Sequence, residues 1–248
     1  MIPICISTVH GKGLPVLLES IKQYAPEAFV YLRGPESVIG KLENLANVRI
    51  MVGEARNFGE DYNDIIDDAL KYHTACIVCN DDVVLTPTSY ARLLEDVSTI
   101  RELEPSVGWV AARCDASRAV QNIRFNRENE KIDMMKFHAE NYIFPTDVVS
   151  PIFAYVSRDA WNHGRFGPLN WYSDDVSCLD MSAKGYSHYV STSYVHHVGS
   201  QTVGLDAQKL VLEALPWIQE NRPQYVEQFF LFFLLLFFFF LLFFFFRS

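Results

Sequence analysis

Five apolar residues, Ala75-Cys76-Ile77-Val78-Cys79, run without a break and stop abruptly in Asn80-Asp81-Asp82. A short unbroken apolar run suits a strand buried on both faces, which places its polar end at the edge of a covered sheet. In open α/β sheets the carboxyl edge is where ligands bind. Two carboxylates and an amide are hard oxygen donors of the kind that suit Mg²⁺ or Mn²⁺, ions that clamp the phosphates of a nucleotide. The same three residues also make an ordinary polar turn, since Asp and Asn favour turns.

The surrounding pattern alternates strand and helix. Residues 2–9 read as a strand ending at Ser7-Thr8, Gly11-Lys12-Gly13 as a turn, and residues 14–24 as a helix with Leu14, Leu17, Leu18 and Ile21 on one face. Residues 28–32 and 48–52 read as strands, the first leading into Arg33-Gly34-Pro35. Residues 60–72 form a helix with Tyr62, Ile65, Ile66, Ala69 and Leu70 inward and five acidic residues mostly outward. Thr86-Pro87 reads as an N-cap and first-turn pair opening another helix, and residues 107–112 as a strand. This alternation predicts an α/β fold with a mostly parallel central sheet and helices on both faces.

Further along, residues 114–150 are polar and irregular, with a charged stretch from Arg124 to Lys136, and read as a mobile loop or an inserted strand pair. Residues 151–156 form a strand and 158–161 a short helix. Ser173 caps a helix over about 174–184, which Gly185 closes. A strand over 187–195 leads into His196-His197, and a helix lies around 206–220.

A net charge of −9 argues against broad binding to nucleic-acid phosphates, which wants a basic face, and fits a site that recruits a cation. The five cysteines are an odd number without framework spacing. Cys76 and Cys79, three apart in a strand, point to opposite faces. Buried thiols in a reducing compartment are therefore expected, not a disulfide or a shared metal. The first residues read as a strand, not a signal peptide, so the expected location is the cytoplasm. Residues 229–246 are eighteen consecutive Phe and Leu. As a helix they would span ~27 Å, close to a bilayer core. They read either as a membrane anchor or as an unselected low-complexity run, since natural spans mix in Val, Ile, Ala and Gly.

Asp174-Asp175 fall in the first turn of a helix, where carboxylates either compensate the helix dipole or aim a general base into a site at the sheet edge. His196 and His197, following a strand, are candidates to complete an Asp/His metal site.

Taken together, these pieces resemble the GT-A fold glycosyltransferases, family 2 in particular, over roughly residues 2–226. The resemblance is carried by Ser7-Thr8, Arg56-Asn57-Phe58-Gly59 before a helix, Asn80-Asp81-Asp82 in the place of a DxD motif, and Pro87 at a helix start. It continues through residues 153–166, the acidic pair Asp174-Asp175, and the turn His197-Val198-Gly199-Ser200-Gln201-Thr202. It implies one domain over residues 1–228, with a nucleotide-binding half over about 1–113 and an acceptor half over about 114–228.

The resemblance further implies that Asp82 and His197 bind Mn²⁺ or Mg²⁺, His197 alternatively touching the diphosphate, and that Asn80 or Asp81 holds the ribose or a metal-bound water. Asp175, or else Asp174, is then the base. Ser7, Thr8 and Arg33 border the nucleobase, and Arg56 and Asn57 contact the nucleotide. The partners implied are a UDP-, GDP- or dTDP-sugar donor and a glycan or glycolipid acceptor, with transfer of a single sugar and inversion at the anomeric carbon. Asn80 in place of a first Asp, and Asp-Asp in place of Glu-Asp, depart from the family pattern. Two alternatives stay open: a sugar-1-phosphate nucleotidyltransferase, for which Gly11-Lys12-Gly13 is too short a loop, and a non-catalytic nucleotide- or sugar-binding homologue.

Overall fold

The computed structural model describes residues 1–40, 42, 47–123, 142–198 and 207–229, in two units, Met1–Gly204 and Leu205–Ser248. The first unit opens with β1 (Ile4–Ser7), α1 (Leu14–Tyr24), β2 (Val30–Gly34), α2 (Glu36–Ile39) and β3 (Val48–Val52). It continues with α3 (Phe58–Leu70), β4 (Ala75–Asn80), β5 (Val83–Leu85), α4 (Ser89–Leu103) and β6 (Val107–Arg113). The short strand β7 (Phe144–Thr146) precedes β8 (Phe153–Ser157), α5 (Arg158–Trp161), α6 (Ser173–Ser182) and the long β9 (Ser187–His197).

These strands form one sheet in the order β3-β2-β1-β4-β8-β6-β9-β5, with β7 also on β9. From β3 to β4 every pairing is parallel. β8 then enters antiparallel between β4 and β6, and β5 and β7 run antiparallel to β9, leaving β6–β9 as the remaining parallel pair. The sheet is therefore mixed, where the alternation of the first half suggested a mostly parallel one. The direction of β8 has a simple cause: its chain arrives at the carboxyl edge, where Ile152 O accepts from Asn80 N–H (2.9 Å), and can only run back.

Helices cover both faces, and strand alternation divides the core between them. Ile4, Ile6, Ile77 and Cys79 pack with α1 and α4, while Cys5, Cys76 and Val78 pack with α3 and α6. Cys76 and Cys79 thus lie on opposite faces as expected, and all five cysteines are free and buried.

Several element ends differ from the sequence reading. α3 starts at Phe58, because Asn57 accepts from Glu60 N–H (2.9 Å) and caps it there. Two of its acidic residues, Asp61 and Asp68, face inward and are matched by Arg33 and Arg49 at 2.8 Å each. α4 starts at Ser89, whose hydroxyl accepts from Thr86 N–H (2.8 Å), so Thr86-Pro87 forms the preceding turn and not the cap. α6 is preceded by Tyr172 at φ 63°, and Ser173 lies inside the helix with its hydroxyl donating to Gly167 O (2.6 Å). β9 runs on through both histidines.

The buried His188 ties β9 to β6 and to α6. Its Nδ1 accepts from Trp109 N–H (3.0 Å), and its Nε2 lies 3.0 Å from Cys178 O and 3.2 Å from Ser182 Oγ. Burial holds this imidazole below the ordinary histidine range, against a smaller upward pull from the Cys178 carbonyl. The neutral ring is the folded form, so its contribution is complete above the unfolded-state value. That contribution is lost as pH falls through the lowered folded value, because the unfolded chain takes up the proton first. Urea unfolding between pH 7 and 5 should therefore show the wild type losing more stability than His188→Gln over the same window. Parallel losses would exclude this role.

In the second unit, α7 (Ala207–Asn221) buries Val211, Ala214, Leu215 and Ile218, the spacing of one helical face. Among the described residues no helix is long and apolar enough to cross a membrane. Residues 230–246 of the Phe/Leu run, like Arg124–Lys136 and Gly199–Thr202, lie outside the described residues.

Candidate active site

The carboxyl ends of β1, β2, β4, β6 and β9 share one edge of the sheet, joined there by the start of β8. Register lines up the first candidates: Ser7 pairs with Arg33 on one side and with Asn80 on the other. Beyond Asn80 the chain turns, and the Thr8 hydroxyl donates to Asp81 Oδ2 (2.5 Å). Burial raises the Asp81 carboxyl, and this hydrogen bond opposes the rise. The Tyr62 hydroxyl donates to Cys79 O (2.8 Å) and lies 3.5 Å from Asn80 Oδ1, fixing the end of β4 from the α3 side. A Cβ built on Gly13 would sit 2.4 Å from Asp81 O and 2.9 Å from Asp82 Cα. Gly13 is needed for space, since its φ of −86° suits any residue.

The β5–β9 register places His197 opposite Val83, directly beside Asp82. His197 Nε2 lies 3.1 Å from Asp82 Oδ1, and Nδ1 donates to Ala116 O at 2.5 Å, with both side chains under 10% exposed. Burial opposes charge on the ring. The Asp82 carboxylate outweighs it, with help from Cys114 and the Ala116 carbonyl, and the imidazole is pushed up to about 10. His196, its strand neighbour, points the other way and pairs with Asp115, which also accepts from the Tyr194 hydroxyl (2.7 Å).

Asp82 and His197 supply one carboxylate oxygen and one imidazole nitrogen. That donor set fits a divalent cation held by few protein ligands, with its remaining positions left to phosphate and water. Loss of one proton from His197 would free Nε2 for the ion. Among the described residues no group of three His, Cys, Asp or Glu side chains gathers as an all-protein cage.

The second centre is the start of α6. Arg118 Nη2 lies 3.0 Å from Asp174 Oδ2 and 2.5 Å from Asp175 Oδ2, and the Ser150 hydroxyl donates to Asp174 Oδ2 (3.0 Å). Burial and the neighbouring Asp174 raise the Asp175 carboxyl to about 7, against the pull of Arg118. For Asp174 burial works upward too, but Arg118 and the hydrogen bonds of Asp175 and Ser150 hold it below the usual carboxylate range. The two centres are linked along the chain. Ala116, bonded to His197, and Arg118, bonded to the Asp pair, are two residues apart, a span of at most about 7 Å.

Three other candidates are occupied by the fold. Arg33 pairs with Asp61 (2.8 Å) and Asp64 (3.5 Å) and donates to Glu54 O (3.1 Å), with 5% of its side chain exposed. Arg56 reaches Asp61 (3.1 Å), Asp64 and Glu60 O, and Asn57 is the α3 cap. Removing Arg33 leaves the buried Asp61 to Arg56 alone and should cost part of the roughly 3–5 kcal/mol typical of breaking a buried pair from one side. Urea unfolding of Arg33→Met should show that loss and Arg33→Met/Asp61→Leu should recover most of it. A double variant no more stable than the single would sink this assignment. Arg118 is the residue that sequence reasoning missed: it lies in an irregular polar stretch, and its carboxylate partners are more than fifty positions away.

No family model and no curated protein matches the sequence. Solved structures do. GalNAc-T7 with UDP, GalNAc and Mn²⁺ aligns at a TM-score of 0.62 and 9% identity, covering 91% of this chain and 50% of that one. TarS 1–349 from S. aureus in complex with UDP-GlcNAc aligns at 0.56 and 13%, covering 93% and 72%. The chain has the GT-A fold. A further TarS 1–349 structure aligns at 0.52 and 13%, covering 79% of this chain and 60% of that one. The chain thus spans about half to three-fifths of the first two structures matched. At these identities the likeness is one of fold.

Proposed function

We propose that the protein is a nucleotide-sugar-dependent glycosyltransferase that moves one sugar to a hydroxyl of a glycan or glycolipid acceptor with inversion. The observation that carries this reading is the meeting of Asp82 with His197 at the carboxyl edge of the sheet of a GT-A fold, in a chain that also starts a helix with an acidic pair. Asp82 and His197 would hold a Mg²⁺ or Mn²⁺ ion, which supplies neutralisation of the departing diphosphate. Asn80, Asp81, Ser7 and Thr8 form the adjoining wall for the nucleotide, with Arg33, Arg56 and Asn57 shaping it from behind. Asp175, with a value near neutrality, accepts the acceptor hydroxyl proton. The acceptor oxygen then bonds the anomeric carbon as the bond to the diphosphate breaks, and that electron pair leaves with the nucleoside diphosphate.

Support for the donor class comes from the neighbours bound to UDP or UDP-GlcNAc. Calorimetric titration with UDP, GDP and dTDP, with and without Mn²⁺, tests the reading. One nucleotide should bind in a Mn²⁺-dependent way, and no binding to any by the folded protein would overturn the assignment. Asn80, which removes one charge from the motif, favours a second reading: a homologue that binds nucleotide without turnover. Retained binding with no transfer from a broad donor panel would select it.

A further inference from the structure

Arg118 lies on a loop built to hold it still. Asn122 clamps the loop, its Oδ1 accepting from Ser117 N–H (2.6 Å) and its Nδ2 donating to Ser117 O (2.9 Å). The fully buried Gln121 donates to Ala112 O (3.2 Å) and Ser150 O (3.0 Å) and accepts from Ser150 N–H (2.7 Å). Arg118 itself donates from Nε to the Ser150 hydroxyl (3.0 Å) while Nη2 bridges the two carboxylates of α6. Two adjacent, largely covered carboxylates therefore share one guanidinium on a stitched loop.

We propose that Arg118 is the positioning residue of this site: it fixes the orientation of Asp175 and favours its ionised form beside Asp174. Without that charge, burial and mutual repulsion favour one proton on the pair at neutral pH, and a protonated Asp175 cannot accept another. The groups facing Asp175 are Asp174 on its own helix, Arg118 on the loop, the Tyr172 hydroxyl before the helix and the Cys178 thiol one turn on. Burial raises both the hydroxyl and the thiol, so both stay neutral and Arg118 is the cation among these groups. The role assigned to Asp175 rests on the transferase reading, whereas the charge coupling to Arg118 does not.

The experiment is a ¹³C NMR titration of protein labelled at the aspartate carboxyl carbons, without donor or acceptor, with Asp175→Asn to assign the resonance. In the wild type that resonance should titrate near 7. Arg118→Met should raise the midpoint by about one unit or more, whereas Arg118→Lys should hold it close to the wild-type value. Ser150→Ala, which removes the hydroxyl linking Arg118 to Asp174, should raise it by less. A midpoint unchanged in both Arg118→Met and Ser150→Ala overturns the proposal. Given turnover, the acid limb of the kcat profile should move upward in Arg118→Met with the donor KM unchanged; a uniformly lower kcat with the same limb also overturns it. Absence of turnover with every donor would count against the transferase reading while the titration still reports on Arg118.

Discussion

Asp82→Ala is expected to weaken Mn²⁺-dependent nucleotide binding by on the order of 100-fold or more, beyond the 10–100-fold typical of groups that only support metal ligands. Asp82 is buried and is the carboxylate that meets His197, so the substitution removes one of two protein donors at once. It also strips His197 of the partner that outweighs burial, leaving a ring with less reason to hold a charge. Calorimetry with the nucleotide that binds the wild type measures the loss. The weak metal-free affinity should not change, because that part of binding does not pass through the ion. Breaking a buried ion pair from one side also destabilises the fold. Asp82→Asn keeps the shape and a hydrogen-bonding oxygen, so it separates loss of the charge from loss of the turn. If Asp82→Asn binds nucleotide as well with Mn²⁺ as the wild type does, the metal assignment fails.

What the sequence disclosed here follows the range of the interactions involved. The unbroken apolar run of residues 75–79 is local, and with it came the strand, the opposite faces of Cys76 and Cys79, and the placing of Asn80-Asp81-Asp82 at an edge. The meeting of His197 with Asp82 depends on the β5–β9 register, a pairing across more than a hundred positions, and only the presence of a His near a strand end was legible. The entry of β8 between β4 and β6 is non-local too, which is why the antiparallel half of the sheet was not foreseen. The partners of the arginines were the least legible in the sequence. Arg33 and Arg56 drew attention beside the expected nucleotide yet are engaged by Asp61 and Asp64 of α3, whereas Arg118 carried no local signal and faces the acidic pair. The pattern places the acidic residues of this helix mostly outward, whereas Asp61 and Asp68 are buried and are met by the buried Arg33 and the exposed Arg49.

Asp175→Asn should leave nucleotide and Mn²⁺ binding within about two-fold of wild type and lower transfer by ~10²–10⁴-fold, the usual contribution of a general base. The separation from Asp82→Ala follows from geometry: Asp175 contacts Arg118 and Asp174 at the start of α6, while Asp82 contacts His197 at the end of β9. The amide keeps the size of the carboxylate, so α6 should remain in place, and its loss of basicity is what the rate reads. The sign of the pH dependence is set by the same residue. Its value is raised to about 7, so the base is progressively disarmed as pH falls below 7, and wild-type kcat should climb with pH through that point. Asp174→Asn tests the choice between the two neighbours. Removing Asp174 takes away a repelling charge, which should lower the Asp175 value and move the acid limb to lower pH while transfer persists. If Asp174→Asn abolishes transfer and Asp175→Asn does not, the base is Asp174. Equal loss of nucleotide binding in Asp82→Ala and Asp175→Asn would mean that the metal and base centres have been wrongly divided.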